Sequence, residues 1–547
     1  MIKHTFSVLI ILFLLFSNET KAQFPANLNI SELDGNNGVE IIGSESNEEI
    51  GRTVATIGDI NGDGIDDVLI GSHLASTDKQ YQNQLGRVYV VFGKDVIFSS
   101  NFESDGTYTP FDLQLIDGTN GFIIEGIEYQ ERLGRWSAGI GDFNADGLDD
   151  FAIGTEEIID VQNSVQPFIN SSGVYVFFGK KKYSKYEDVH NMTGSNGFYI
   201  AGLEGNSAFA RNVKGSGDVN GDGFSDMIIS DIDLITPDNN LGAAHVVFGT
   251  DRIFESGFDN SQSRNSLDIY QLDGSNGFSI YSNTNQSSFA RYIEFADDIN
   301  NDGFTDIMIS ARGYDNLNGS DTGKVYLIYG KENFNKDFNI SNIDGTNGWE
   351  FTNLGFNTIL ITSGRLGDIN GDNINDMAFM VYRDTGSTEK TVYVVFGSEQ
   401  PFSQKLSPTD LDGSNGFIIE ENSVSLDIGF VVRTAGDINS DGLDDVMISG
   451  PTSGINPTEQ IAGKVFIVYG KSTPFQQTLE LSDLDGTNGF IISGQNRFDN
   501  LGTNIAPVGD INHDGRDDII IGALGADTMS RDRNGSGYII YGQEQKK

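Results

Sequence analysis

The segment GDINGDGIDD, Gly58 to Asp67, sets oxygen donors at alternate positions: Asp59, Asn61 and Asp63, then the Ile65 carbonyl, then Asp67. Oxygen-only donors in so short a loop suit a hard cation, and calcium accepts the large, flexible coordination number such a loop offers. Glycine at the sixth position permits the sharp turn that brings both ends round one ion. Six more loops repeat the pattern. The second holds Asp142, Asn144, Asp146, Leu148 and Asp150, and the third Asp218, Asn220, Asp222, Phe224 and Asp226. The fourth holds Asp298, Asn300, Asp302, Phe304 and Asp306, and the fifth Asp368, Asn370, Asp372, Ile374 and Asp376. Asp437, Asn439, Asp441, Leu443 and Asp445 form the sixth, and Asp510, Asn512, Asp514, Arg516 and Asp518 the seventh. In the fifth loop Asn373 replaces the glycine; asparagine tolerates positive φ better than most residues, so a retained but weaker site is expected there.

Single Asp-Gly or Asn-Gly dipeptides are ordinary turn residues. Seven copies with acids held at positions one, five and nine go beyond a turn, and up to seven calcium ions are expected. The ions would also answer the electrostatic cost of crowding acids together, because seven of them carry 14 positive charges and take the formal net charge from −45 to −31. Strands rather than helices flank these loops, and the closing carboxylate comes at position nine instead of twelve, so they differ from an EF-hand. A structural role is expected rather than a sensing one.

The elements that position the loops repeat with them, at spacings of 69 to 83 residues. An apolar strand follows each loop, as in DDVLIG ending at Gly71. A second β-rich run comes next, such as GRVYVVFG from Gly86 to Gly93, and then a Gly-rich turn into another strand, as in DGTNGFIIEG from Asp117 to Gly126. With the strand entering the loop, each unit has four strands. Seven such units predict an all-β, seven-bladed β-propeller, whose radial closure leaves only short edges. The chain starts with an unpartnered DGNNGVEIIG, Asp34 to Gly43, and ends on an unpartnered GYIIYG, Gly537 to Gly542. Val39 to Ile42 is therefore expected to supply the outer strand of the seventh blade and close the ring across the termini.

Lys3 precedes the apolar run from Phe6 to Phe16, which is too short to span a bilayer and reads as a secretory signal peptide over 1–22, with the propeller over 23–547. No later segment is apolar enough to cross a membrane. Cysteine is absent, which excludes disulfides, thiol nucleophiles and thiolate metal sites. A net charge of −45 and a pI near 4.2 disfavour nucleic acid and anionic membranes as partners.

Seven residues before the first loop ligand, blades one to four carry Arg52, Arg135, Arg211 and Arg291, where blades five to seven have Ile361, Phe430 and Thr503. That position begins the strand entering the loop and should lie near the axis on the opposite face. An arc of guanidinium groups there would clamp carboxylates or sulfates; alternatively each arginine pairs with a neighbouring acid and ties blades together. For catalysis the sequence shows no nucleophile elbow, zinc helix motif or phosphate loop, and His73, His190, His245 and His513 occupy unrelated repeat positions. Asn-x-Ser/Thr sequons occur at Asn170, Asn191, Asn285, Asn318, Asn339 and Asn534.

These loops and strands resemble the FG-GAP repeat family, the propeller at the amino end of integrin α subunits. The FG element survives loosely as Ile50 and Gly51, Leu133 and Gly134, and Phe209 and Ala210; the GAP element survives in part as Gly522 and Ala523. The resemblance implies calcium in hairpin loops on one face and ligand recognition on the other, outside the cell. The expectation is thus a secreted adhesion or recognition module, at the cell surface or in a periplasm, whose ligand is an extracellular protein or an anionic polysaccharide. The competing expectation is an extracellular lyase or glycosidase acting on such a polysaccharide, and a structural part of a surface assembly is a third.

Overall fold

The structure, a computed structural model, describes residues 24–75, 84–94, 108–126, 131–155, 172–189, 192–202, 208–235, 241–251, 266–282, 289–315, 321–354, 358–383, 390–421, 429, 431–453, 461–527 and 531–544. The expected signal peptide lies outside them, as do His190, Phe430, four of the sequons and most of the connections at 72–85 and 155–172. Among the described residues no helix is long and apolar enough to cross a membrane.

Seven sheets are arranged about one axis, each built on four antiparallel strands, in chain order in six of them and with an outer strand from the amino-terminal segment in the seventh. Blade one consists of Thr53–Gly58, Asp67–Ser72, Arg87–Val91 and Gly121–Glu125. The innermost strands of blades two to seven are Trp136–Gly141, Phe209–Gly217, Phe289–Phe295, Thr358–Gly367, Val432–Gly436 and Leu501–Gly509. Each packs beside the next, and the last beside the first, so the blades form a ring. The second and third strands are buried on both faces, which explains why they read as continuous apolar runs such as DVLIGS and RVYVV.

Every sheet also holds a fifth, short strand in parallel, which the sequence reading does not contain. It is donated by the segment that leads into the following blade's Gly-rich turn: Tyr186–Glu187 pairs with the outer strand of blade one, and Ser266–Asp268 with that of blade two. Aromatic residues just before several of these strands stack on the aromatic ring of the neighbouring outer strand, as Tyr183 does on Phe122 at 4.2 Å and Phe334 on Phe278 at 4.0 Å. Consecutive blades are thereby stitched at their rims.

The amino-terminal segment does this twice. Asn27–Asn29 pairs in parallel with Ile491–Ser493 of blade six, with Phe24 stacked on Phe490 at 4.1 Å. Gly38–Ile42 then pairs antiparallel with Ser536–Ile540 and is the outer strand of the sheet formed by the last three strands of the chain. Val39 and Ile41 on it are fully buried, and burying two such side chains contributes about 3–6 kcal/mol. Deleting residues 33–43 is expected to lower the melting temperature of the whole ring by several degrees in calorimetry; a truncated protein that melts like the parent contradicts this closure.

Candidate functional site

Each acidic loop is the hairpin between the first and second strands of its blade. The closing aspartates Asp67, Asp150, Asp226, Asp306, Asp376, Asp445 and Asp518 are all fully buried. Asp67 accepts from the Ile60 amide at 3.2 Å and the Gly93 amide at 2.9 Å, tying the loop to the end of the third strand. A Cβ on Gly93 would clash with the Asp66 carbonyl, which accounts for the glycine ending the VYVVFG run. The first aspartate is turned inward: Asp59 accepts from the amides of Gly62, Asp63 and Gly64 at 2.7, 3.0 and 2.8 Å.

Position six has positive φ in all seven loops, from Asn373 at 65° to Gly303 and Gly442 at 93°. At each of the six glycines no atom lies within 4 Å of where a Cβ would be. The demand for glycine is thus one of backbone angle and not of space, and Asn373 meets it. Replacing Asn373 by valine should destabilise the protein by about 1–2 kcal/mol, while glycine should be neutral or stabilising. Denaturant unfolding of the two variants checks this, and a valine variant as stable as the parent refutes it.

Whether these loops fit calcium is decided by their oxygen atoms. Every donor is oxygen, and Asp445 Oδ2, Asp518 Oδ2 and Asn439 Oδ1 are buried without a hydrogen-bond partner. Burial foremost, then the neighbouring loop acids, push the carboxyls of Asp150, Asp376 and Asp518 up to about 8. Among the described residues no three His, Asp or Glu side chains converge on one point; the first aspartate of each loop accepts from backbone amides of its own loop. The residues present, one asparagine and one carbonyl beside three carboxylates per loop, still form an oxygen set of the kind calcium takes.

At the other end of the innermost strands lies a cavity of about 320 Å³ on the axis, and Arg52, Arg135, Arg211 and Arg291 all line it. The local cause is the residue before each arginine. Gly51, Gly134, Ala210 and Ala290 have φ of 84°, 83°, 59° and 58°. In blades three and four the strand register shifts between Phe209 and Val213 and between Phe289 and Ile293, so the strand kinks as it reaches the axis.

Lys214, Arg433 and Glu294 share the lining with Trp136 and Tyr292. The site thus holds six cations against one carboxylate, in a chain of net charge −45. Burial, then the fields of Arg52, Arg132 and Arg211, lower Arg135 to about 10. The Arg211 Nε is buried without a hydrogen-bond partner. His73 stands near Arg52, Arg135 and Arg132; burial and then those charges push it down to about 3, so its imidazole is neutral.

Sequence reasoning missed Lys214, Glu294 and Arg433. Each lies four residues before the first aspartate of its loop, where the other blades have Ala55, Ala138, Gly364 and Ala506. A charge at a position otherwise kept small is the signal that could have found them. Elsewhere, His245 Nδ1 lies 2.8 Å from Ser279 Oγ and its Nε2 lies 3.6 Å from Asp231 Oδ2. All three residues are buried, with Phe209 and Tyr270 packed on the imidazole, so they are part of the core of blade three. Asn534 is likewise fully buried, which closes its sequon in the folded protein.

Comparison with known proteins agrees with this architecture. The FG-GAP repeat matches residues 51–91, 294–328 and 501–540, in blades one, four and seven. The chain is 33% identical over 124 residues to phosphatidylinositol-glycan-specific phospholipase D of Rattus norvegicus, covering 23% of this chain and 12% of that protein. It is 25% identical over 333 residues to the Dictyostelium discoideum protein of the same name, covering 59% and 32%. Integrin alpha-2 of Bos taurus is 25% identical over 213 residues, covering 38% and 16%. The chain is thus an FG-GAP propeller similar to integrin alpha subunits, and it spans at most about a third of the length of these relatives.

Proposed function

We propose that the protein is a secreted, calcium-binding propeller that acts outside the cell as an adhesion or ligand-recognition module, with the axial arginine cavity as its ligand site. The observation that carries this reading is the convergence of four arginines from four blades on one cavity, in a strongly acidic chain. Guanidinium forks match carboxylate and sulfate oxygens in pairs, so the ligand is an anionic group presented by an extracellular protein or polysaccharide. Calcium in the seven loops fixes the opposite face. Its support is the all-oxygen donor set together with the unpartnered buried oxygens of Asn439, Asp445 and Asp518.

The alternative, an extracellular enzyme acting on an anionic polysaccharide, draws on the similarity to a phospholipase named for its activity. Among the described residues, the charged lining of the cavity is six cations and one carboxylate, Glu294, already held by Lys214 and Arg433.

Excess chelator is expected to lower the melting temperature substantially, with calcium restoring it; an unchanged melt removes the calcium assignment. The recognition role is tested by incubating the calcium-loaded protein with acidic and neutral polysaccharides, scoring retention and chain length. Retention of acidic chains at unchanged length is expected, and shortened chains would establish the enzyme instead.

A further inference from the structure

The arginine cavity has a floor. Glu294 of blade four and Arg433 of blade six are bonded at 2.9 Å, past the intervening blade five, so the pair projects into the axial space. Lys214 of blade three joins the same Glu294 oxygen at 2.8 Å. Alongside them, Arg365 of blade five reaches Asp297 at 3.3 Å and the Ser216 carbonyl of blade three at 3.5 Å. A second axial cavity, of about 420 Å³, lies toward the loop face and shares Lys214, Glu294 and Arg433 with the first. Burial would raise the Glu294 carboxyl, but Lys214 and Arg433 outweigh it and hold the group below its ordinary value, while burial and then the Arg433 charge lower Lys214 to about 8. The charged cross-brace thus stands between the two cavities on the side of blades three to six, and Thr53, Ser137 and Asn504 line both on the other side.

We propose that the brace closes the arginine cavity into a blind pocket, and that this pocket is an end-binding site for one anionic sugar residue, a uronate or a sulfated pyranose at a chain terminus. This deepens the recognition role proposed above and rests on it. A blind pocket admits a chain end but cannot be threaded, and an internal residue, bonded on both sides, has no second exit. The volume of about 320 Å³ is at the small end of ligand sites, which run from ~300 to ~1,000 Å³. It suits a ring-sized ligand and excludes the bulk of a folded protein surface.

The lining matches each part of such a residue. Arginine forks face its anionic oxygens, and the unpartnered Arg211 Nε offers a donor. Ser137, whose hydroxyl has no partner, and Asn212 offer hydroxyl and amide groups for sugar hydroxyls, while Trp136 and Tyr292, each with a neighbouring arginine over one face, supply rings for the apolar pyranose face.

The test is titration calorimetry on the calcium-loaded mature protein with three probes. These are a tetrasaccharide bearing glucuronate only at its non-reducing end, a tetrasaccharide with glucuronate only at an internal position, and a glutamate-rich peptide. The terminal glucuronate is expected to bind at one site per chain, at least about tenfold tighter than the internal one. Arg211→Gln should weaken it at least about tenfold at an unchanged melting temperature, and Arg211→Lys, which keeps the charge and loses the fork, should fall between. Equal affinity for terminal and internal glucuronate, or an unaffected R211Q, overturns the proposal. Peptide binding without sugar binding also overturns it but leaves the recognition role standing, whereas failure of every probe and of the polysaccharide panel removes both.

Discussion

The buried closing aspartate of each acidic loop is the contact on which the ring depends. In every blade it accepts from the glycine that ends the third strand, and in blades one to five also from an amide at the start of its own loop. One carboxylate thus sets the hairpin, fixes where the third strand stops, and leaves the loop backbone free to meet the neighbouring blade. That neighbour answers in kind: the Asp149 carboxylate accepts from the Asp59 amide at 2.8 Å, and the Lys180 amide donates to the Ile60 carbonyl at 2.9 Å. Similar links recur between the fifth and sixth blades through Asp444 and Lys471. A loop that looks from sequence like a metal site is therefore also a joint between blades.

Charge is segregated along the axis as a consequence. The loops gather acids at one end of every innermost strand, while the other end carries arginines in four consecutive blades. Between them the Lys214, Glu294 and Arg433 brace joins three blades that are not all neighbours. Buried ion pairs contribute little net stability unless well partnered, so the brace matters here chiefly for shape: it stands between two axial cavities of different charge.

Much of this was legible in the chain because the repeat is long and its chemistry is local. The acidic hairpin loops, the apolar second and third strands and the Gly-rich turns each follow from short-range patterns. The Gly38–Ile42 pairing with the last strand could be read from the unpartnered motifs at the two ends. The fifth strands were not legible, because pieces such as Tyr186–Glu187 and Phe111–Asp112 are two residues long and exist only through a neighbouring blade. The arginine position was visible as a repeated offset, yet the brace below it was not, since lysine, glutamate and arginine share no residue type. Only aligning the seven repeats shows that they interrupt a row of alanine and glycine.

The most direct test of the account is a crystal structure of the mature protein grown with calcium, with anomalous scattering collected to locate the ions. The account predicts an anomalous peak inside each loop, framed in the first by Asp59, Asn61, Asp63, the Ile65 carbonyl and Asp67. Loops that hold only water at calcium concentrations far above those of extracellular fluid would contradict it, and would leave the buried aspartates to be explained by the hydrogen bonds alone.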